Sequence, residues 1–295
     1  MHLPSARWLI AAALIVLALA AWSRVRPSND RDWTPDNERV AWAEVRGDSV
    51  VVHNVRNARY RTTEDYTVAW EDRAYDLRRL RAAWFGVEPF AEDWRGPAHT
   101  FVSFEFDDGQ FLAASVKIRK EKGEAYSLLK GMLKRFELIY VLADERDVVG
   151  LRANYRHDQV YLYPVKATQA QVRTMFERVL RRATELRERP EFYHTVTNNC
   201  TSNLVRHVND VSPRRVGWSH RTLLPGYSDE LAYELGLIDT DLPFEQARAR
   251  FHINARARRF ADAPDFSRRI REPIRQNGPA DGASDRNREL AAPPD

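Results

Sequence analysis

Between residues 168 and 189 apolar side chains return every three or four positions, as Val172, Met175, Phe176, Val179, Leu180, Ala183 and Leu186. That period places them on one face of a helix. Thr168 and Gln171 form a capping box at its start, and Pro190 stops it. A second stripe, Cys200, Leu204, Val208 and Val211, predicts a helix that opens at Asn198 or Asn199 as N-cap and runs toward Asn209. Residues 228–235 predict a short third helix. Upstream the pattern shortens to runs and alternations typical of strands. These predict strands over residues 49–55, 66–75, 98–106, 111–118, 136–142, 148–152 and 159–165. The turn Asp108-Gly109 between the third and fourth marks the clearest hairpin. The expected fold class is α+β, with a mostly antiparallel sheet packed on helices.

The two ends read differently. Residues 8–22 are wholly apolar, with Arg7 before them and Arg24 and Arg26 after. Fifteen residues fall short of the ~20 that span a bilayer, and Ala18-Leu19-Ala20 resembles a signal cleavage site. Trp8 and Trp22 suit an interfacial anchor instead. Residues 1–26 are therefore either a signal peptide or a membrane anchor, and both put the remainder across the membrane. Residues 27–37 read as a polar linker, and 27–245 as the globular domain. From residue 246 to 295 arginines crowd the chain (Arg248, Arg250, Arg256, Arg258, Arg259, Arg268, Arg269, Arg271, Arg275) before a Gly, Pro and Ala-rich end. This reads as a solvated, partly disordered tail.

Composition supports a folded core, with 43% hydrophobic and 11% aromatic residues. The formal net charge is +4, with both signs mixed along the chain. Without a basic stripe, nucleic acid is not an expected partner; the mild excess favours anionic lipid headgroups. No Cys or His cluster has metal-ligand spacing and no Gly-rich phosphate loop occurs, so no metal or cofactor is expected.

The one cysteine, Cys200, sits in Thr197-Asn198-Asn199-Cys200-Thr201. An exported protein uses cysteines in pairs, whereas a lone thiol at a helix start is favoured as a nucleophile. The bland alternative is an inert buried hydrophobe. A nucleophile needs a base. Of the eight histidines, His207 lies seven residues along the same helix, about 10 Å of rise away, and is set aside. His99 opens the hairpin, and a strand-borne imidazole facing a helix-borne thiol is papain-like geometry. Ser103 and Glu105 share the His99 face by alternation and are candidates to orient its ring. Ser115 is another, expected opposite Ser103 if the turn has three residues, with the register left open. Tyr193 and Asn198 are candidate oxyanion donors beside the backbone N–H of Cys200. Arg119 is a candidate for a headgroup phosphate.

An early-strand histidine followed by Asn-Cys at a helix start resembles the circularly permuted papain-like group, which includes NlpC-type cell-wall peptidases. Within it, the chain resembles the Lnb N-terminal periplasmic domain family. The residues that carry this are Asn54-Val55-Arg56-Asn57, Ala98-His99-Thr100-Phe101, Glu137-Leu138-Ile139-Tyr140-Val141, Asp144-Glu145-Arg146-Asp147-Val148, Pro190-Glu191-Phe192-Tyr193 and Thr197-Asn198-Asn199-Cys200-Thr201. The resemblance implies a permuted papain-like fold, lipoprotein N-acylation, and Cys200 and His99 as catalytic thiol and imidazole. Lys117 and His194 depart from it, standing where an acid and an amide are expected. The expected activity is fatty acyl transfer from a lipid ester to a lipoprotein N-terminal amine through acyl-Cys200. The alternatives are a cell-wall peptidase or amidase and a non-catalytic periplasmic binding module. The expected place is the periplasmic side of a bacterial inner membrane, with its lipids and lipoproteins as partners.

Overall fold

A computed structural model describes residues 6–91 and 95–272. Helix α1 (Ala6–Arg24) comes first. Among the described residues no helix is long and apolar enough to cross a membrane. Eight strands follow: β1 (Trp42–Arg46), β2 (Ser49–Tyr60), β3 (Tyr66–Asp76), β4 (Leu80–Pro89), β5 (Ala98–Phe106), β6 (Phe111–Arg119), β7 (Glu137–Ala143) and β8 (Tyr161–Pro164). Helix α2 (Leu128–Met132) leaves β6, and α3 (Glu145–Gly150) leaves β7. The order across the sheet is β1-β2-β7-β6-β5-β4-β8, with β3 on β2. The β2–β7 pair is parallel and the other strand pairs are antiparallel. The chain is thus α+β with a mostly antiparallel sheet.

Two layers of helix cover the sheet. On one face lie α4 (Gln169–Glu188) and α5 (Cys200–Val211). The α4 stripe predicted from its spacing is buried in full, and the Thr168–Gln171 capping box forms. Its side chains pack on Val102, Phe104 and Phe106 of β5, Leu112, Ala114 and Val116 of β6, and Leu138, Tyr140 and Leu142 of β7. Each such side chain contributes about 1.5–3 kcal/mol on burial. The intervening residues Phe101, Ala113, Ile139 and Val141 face the other way, onto Val148, Val149 and Ala153.

Four expectations change. Residues 148–152 are helical, because Asp144 caps α3 by accepting from the Arg146 N–H; a π-helical turn continues over Leu151–Arg156. Strands β1 and β4 were missed, β4 because burial on both faces removes its alternation. In β4, Gly86 is required: a Cβ there would lie 2.2 Å from the Phe101 ring. Residues 27–37 are no free linker. Trp33 and Asn37 are buried, and Asn29 Nδ2 donates to the Leu186 and Arg187 carbonyls at the end of α4 (3.0 and 2.9 Å). Finally, packed helices continue beyond residue 245, where a solvated tail was expected. After α6 (His220–Leu223) and α7 (Ser228–Glu234) come α8 (Phe244–Phe251), α9 (Asn254–Arg259) and α10 (Phe266–Arg269). They bury Phe251, Ile253, Ala257, Phe266 and Ile270. Arginine density hid this stripe, since the arginines lie between its apolar positions. The expected disorder after residue 272 lies outside the described residues.

Candidate functional site

The turn that delivers Cys200 is tied at every step. The His194 N–H donates to the Asn198 carbonyl and the Asn198 N–H to that of His194 (3.1 and 3.0 Å). Asn198 spends its amide on structure: Nδ2 donates to the Phe192 carbonyl (3.0 Å) and Oδ1 accepts from Asn203 Nδ2 (2.9 Å). Asn199 caps α5, accepting from the Ser202 N–H (2.8 Å) while Ser202 Oγ accepts from the Asn199 N–H (2.8 Å). Cys200 is therefore the first helical residue. Its N–H and that of Thr201 have no acceptor within the helix.

The thiol is buried, at 8% exposure. Its Sγ lies 3.8 Å from Thr201 Oγ1, which lies 3.4 Å from Thr100 Oγ1 on β5. A cavity of only about 10 Å³ at the thiol is walled by Thr100, Phe101, Val102, Tyr140, Leu204 and His207, among others. Thr100, Val102 and Leu204 also border a second, larger cavity of about 430 Å³. Its walls are mostly apolar, including Met175, Val205, Val208, Leu231 and Ile238, and it reaches Thr201. The volume lies in the usual range of ligand pockets, roughly 300–1,000 Å³.

The hydrogen bond of His99 does not reach Cys200: by alternation its side chain leaves the face of β5 opposite to Thr100, whose hydroxyl neighbours that of Thr201. His99 Nε2 is 2.8 Å from Ser115 Oγ, and its ring stacks near Phe101. Burial, with the cations Arg152, Arg156 and Lys117 nearby, pushes its pKa well below the ordinary value. Ser103 and Glu105 do share that face, but the partner of the ring is Ser115. The Ser103 hydroxyl is 3.4 Å from Arg271 Nη2, and Glu105 accepts from Trp84 Nε1 (2.8 Å). The three-residue hairpin turn sets Ser115 opposite Phe101, not Ser103. Lys117 meets Asp36 at 2.9 Å, so an acid is present beside that position after all. Against the upward push of burial, Lys117 and Arg56 hold Asp36 below the usual carboxylate range.

Arg119 is not available to a headgroup. It is buried, stacks on Trp33 at 4.1 Å, and donates to the Asn37 and Glu38 carbonyls and Asn29 Oδ1, each at 2.8 Å. Tyr193 does pack in the cluster that holds Cys200. Burial, then the neighbouring thiol and Tyr126, keep its phenol protonated beyond the ordinary range.

One group set aside on sequence belongs to the thiol's own side. His207 lines the small cavity with Cys200, and Tyr140 Oη lies 2.9 Å from its Nε2. Tyr140 also donates to Asn203 Oδ1 (3.1 Å). A phenol has one proton, so this arrangement assigns the His207 proton to Nε2. Nδ1 is then a buried lone pair without a hydrogen-bond partner among the described residues. Burial pulls its pKa down to about 4, which keeps the ring neutral. The signal was the i to i+7 spacing, which places both residues on one helix face. Among the described residues no group of His, Cys, Asp and Glu is placed to hold a metal ion.

The sequence profile described as the Lnb N-terminal periplasmic domain matches residues 66–226, more than half of the 295-residue chain. No curated protein and no solved structure matches the chain.

Proposed function

Because the chain belongs to the Lnb N-terminal periplasmic domain family, we propose that it is a membrane-associated thiol acyltransferase working through Cys200. The observation that carries this is the apolar cavity that shares Thr100, Val102 and Leu204 with the thiol's own cavity. A fatty acyl chain needs such a space; a cell-wall peptide needs a polar cleft. In this reading the thiolate attacks an ester carbonyl of a phospholipid. The oxyanion meets the Cys200 and Thr201 N–H groups. The C–O bond then breaks, the lyso-lipid alcohol leaves with a proton, and an acyl thioester remains. The N-terminal amine of a lipoprotein attacks that thioester, forms an amide and returns the thiol, giving ping-pong kinetics.

His207 is the imidazole on the thiol's side, two turns along the same helix, and its neutral, unpartnered Nδ1 is the nitrogen that the variants below test as proton acceptor. His99, the family-implied base, acts in this reading as a positioning residue behind the sheet. The order of sheet first and thiol helix later suits a permuted papain-like ancestry. Helix α1 holds the domain at the inner membrane, or is removed on export.

Intact-protein mass after incubation with phospholipid tests the reading. The expected result is a fatty acyl adduct on Cys200 that hydroxylamine or an amine acceptor removes. Adduct formation should fall with His207→Asn more than with His99→Asn. Peptidoglycan-peptide cleavage with no adduct from any phospholipid would replace this reading by the amidase one.

A further inference from the structure

Helix α2 turns its apolar residues outward. Tyr126, Leu128, Leu129, Met132 and Leu133 are all 40–61% exposed, five large apolar side chains within eight positions. The cause is Gly131. A Cβ there would lie 2.3 Å from Thr195 Oγ1, so only glycine lets α2 lie flat on the turn before Cys200. Thr195 fixes the contact, its N–H donating to the Gly131 carbonyl (3.2 Å) and its hydroxyl to that of Leu128 (3.1 Å). With its small side inward, the helix has only its large side chains to show.

Two observations say what covers them. The Lys134 ammonium stands 4.5 Å over the ring of Trp22, so α2 and the end of α1 are neighbours. Leu14, Ile15, Val16 and Leu17 of α1 are also exposed, at 59–65%, so the apolar surface has a second component beside the patch. Its rim is cationic, from exposed Lys130 and Arg135 and, at the end of α1, exposed Arg24 and Arg26. An apolar knob with a basic rim matches the boundary between acyl chains and anionic headgroups.

We propose that α2 is an interfacial membrane contact, seated in an anionic phospholipid surface beside α1. The proposal stands on exposure and charge, not on the acyl-transfer chemistry. If both hold, the contact places the Cys200 turn at the lipid surface, since the same Thr195 supports α2 and lies five residues before the thiol.

The test uses the full chain in vesicles of phosphatidylethanolamine and phosphatidylglycerol with a bilayer-soluble diazirine, followed by peptide mass mapping. Residues 126–133 are expected to be labelled along with α1. L129E/L133E should lower the 126–133 label roughly tenfold or more, with α1 labelling unchanged. Phosphatidylcholine vesicles should lower it severalfold. In wild type, vesicles should protect Met132 from hydroxyl-radical oxidation. Label confined to α1, with Met132 oxidised equally with and without vesicles, overturns the proposal and leaves a protein partner as the cover. Neither result depends on acyl transfer.

Discussion

The two faces of the sheet solve different problems with residues drawn from the same strands. The α4–α5 face is apolar and contains the thiol, one neutral imidazole and unfilled space. The opposite face buries its own apolar cluster and, beside it, a lattice of paired charges. Arg56 grips Asp147 with two 2.8 Å bonds, Arg152 pairs with Glu88, and Arg271 pairs with Glu145. In each of these pairs the buried charge has an opposite charge beside it, and removing one partner would leave the other uncompensated. The thiol face leaves a nucleophile and a nitrogen lone pair without strong partners. Successive residues of β5 thus divide: Thr100 borders the thiol's cavity and His99 bonds to Ser115 on the next strand.

The largest expected effect that would break this contrast is on the thiol itself. Cys200→Ser should lower acyl transfer by at least ~10³-fold while the melting curve barely moves. A residual rate within tenfold of wild type would mean that the reacting group is elsewhere.

The charged face should answer in stability instead. Arg271→Ala leaves the Glu145 carboxylate buried without its cation, and should cost about 3–5 kcal/mol, read by denaturant unfolding. A loss below about 1 kcal/mol would show that this pair is solvated and that the face is not a lattice of buried charge.

The cavity gives a smaller, more selective effect. Val208→Trp should reduce kcat/KM for long-chain donors by roughly 10–100-fold, the equivalent of about 1.4–2.7 kcal/mol, and spare short-chain esters. Equal loss for all chain lengths would remove the cavity from the argument.

The weakest effect concerns acid. Burial holds His207 and His99 below their ordinary pKa, His207 at about 4. Between about pH 6.5 and 4 the unfolded chain therefore binds protons that the native state does not. Stability contributed by the neutral His207 ring is complete above that window and is lost as pH falls through it, by up to about 1.4 kcal/mol per pH unit. His207→Gln should flatten that part of the stability profile. An unchanged slope would mean that His207 is already solvated in the native state.

What could be read from the sequence was what repeats. The α4 stripe, the Asn199 cap and the β5–β6 hairpin each show their period or turn residues directly, so their positions follow. The place of Cys200 at the start of α5 was legible from the asparagine cap before it. The side of the sheet that His99 takes was not. A register shift of one residue reverses every side chain, and only the neighbours settle it. That His207 borders the same small cavity as Cys200 was not legible, since distance along the helix does not show which neighbouring strands enclose both. Arg119 and the C-terminal arginines looked like surface, because charge is read as exposure until its partner is known.

The Arg271–Glu145 contact also bears on the order of events during synthesis and export. It joins positions 126 residues apart, so the charged face stays open until nearly the whole described chain is available. Contacts of such separation form late. A chain threaded through a membrane N-terminus first would remain extensible, and hence transportable, until α10 arrived to lock the sheet. Stopping the chain before Phe266 should then leave a species that proteases cut readily around Glu145. Protection equal to that of the full chain would show that the lock is unnecessary.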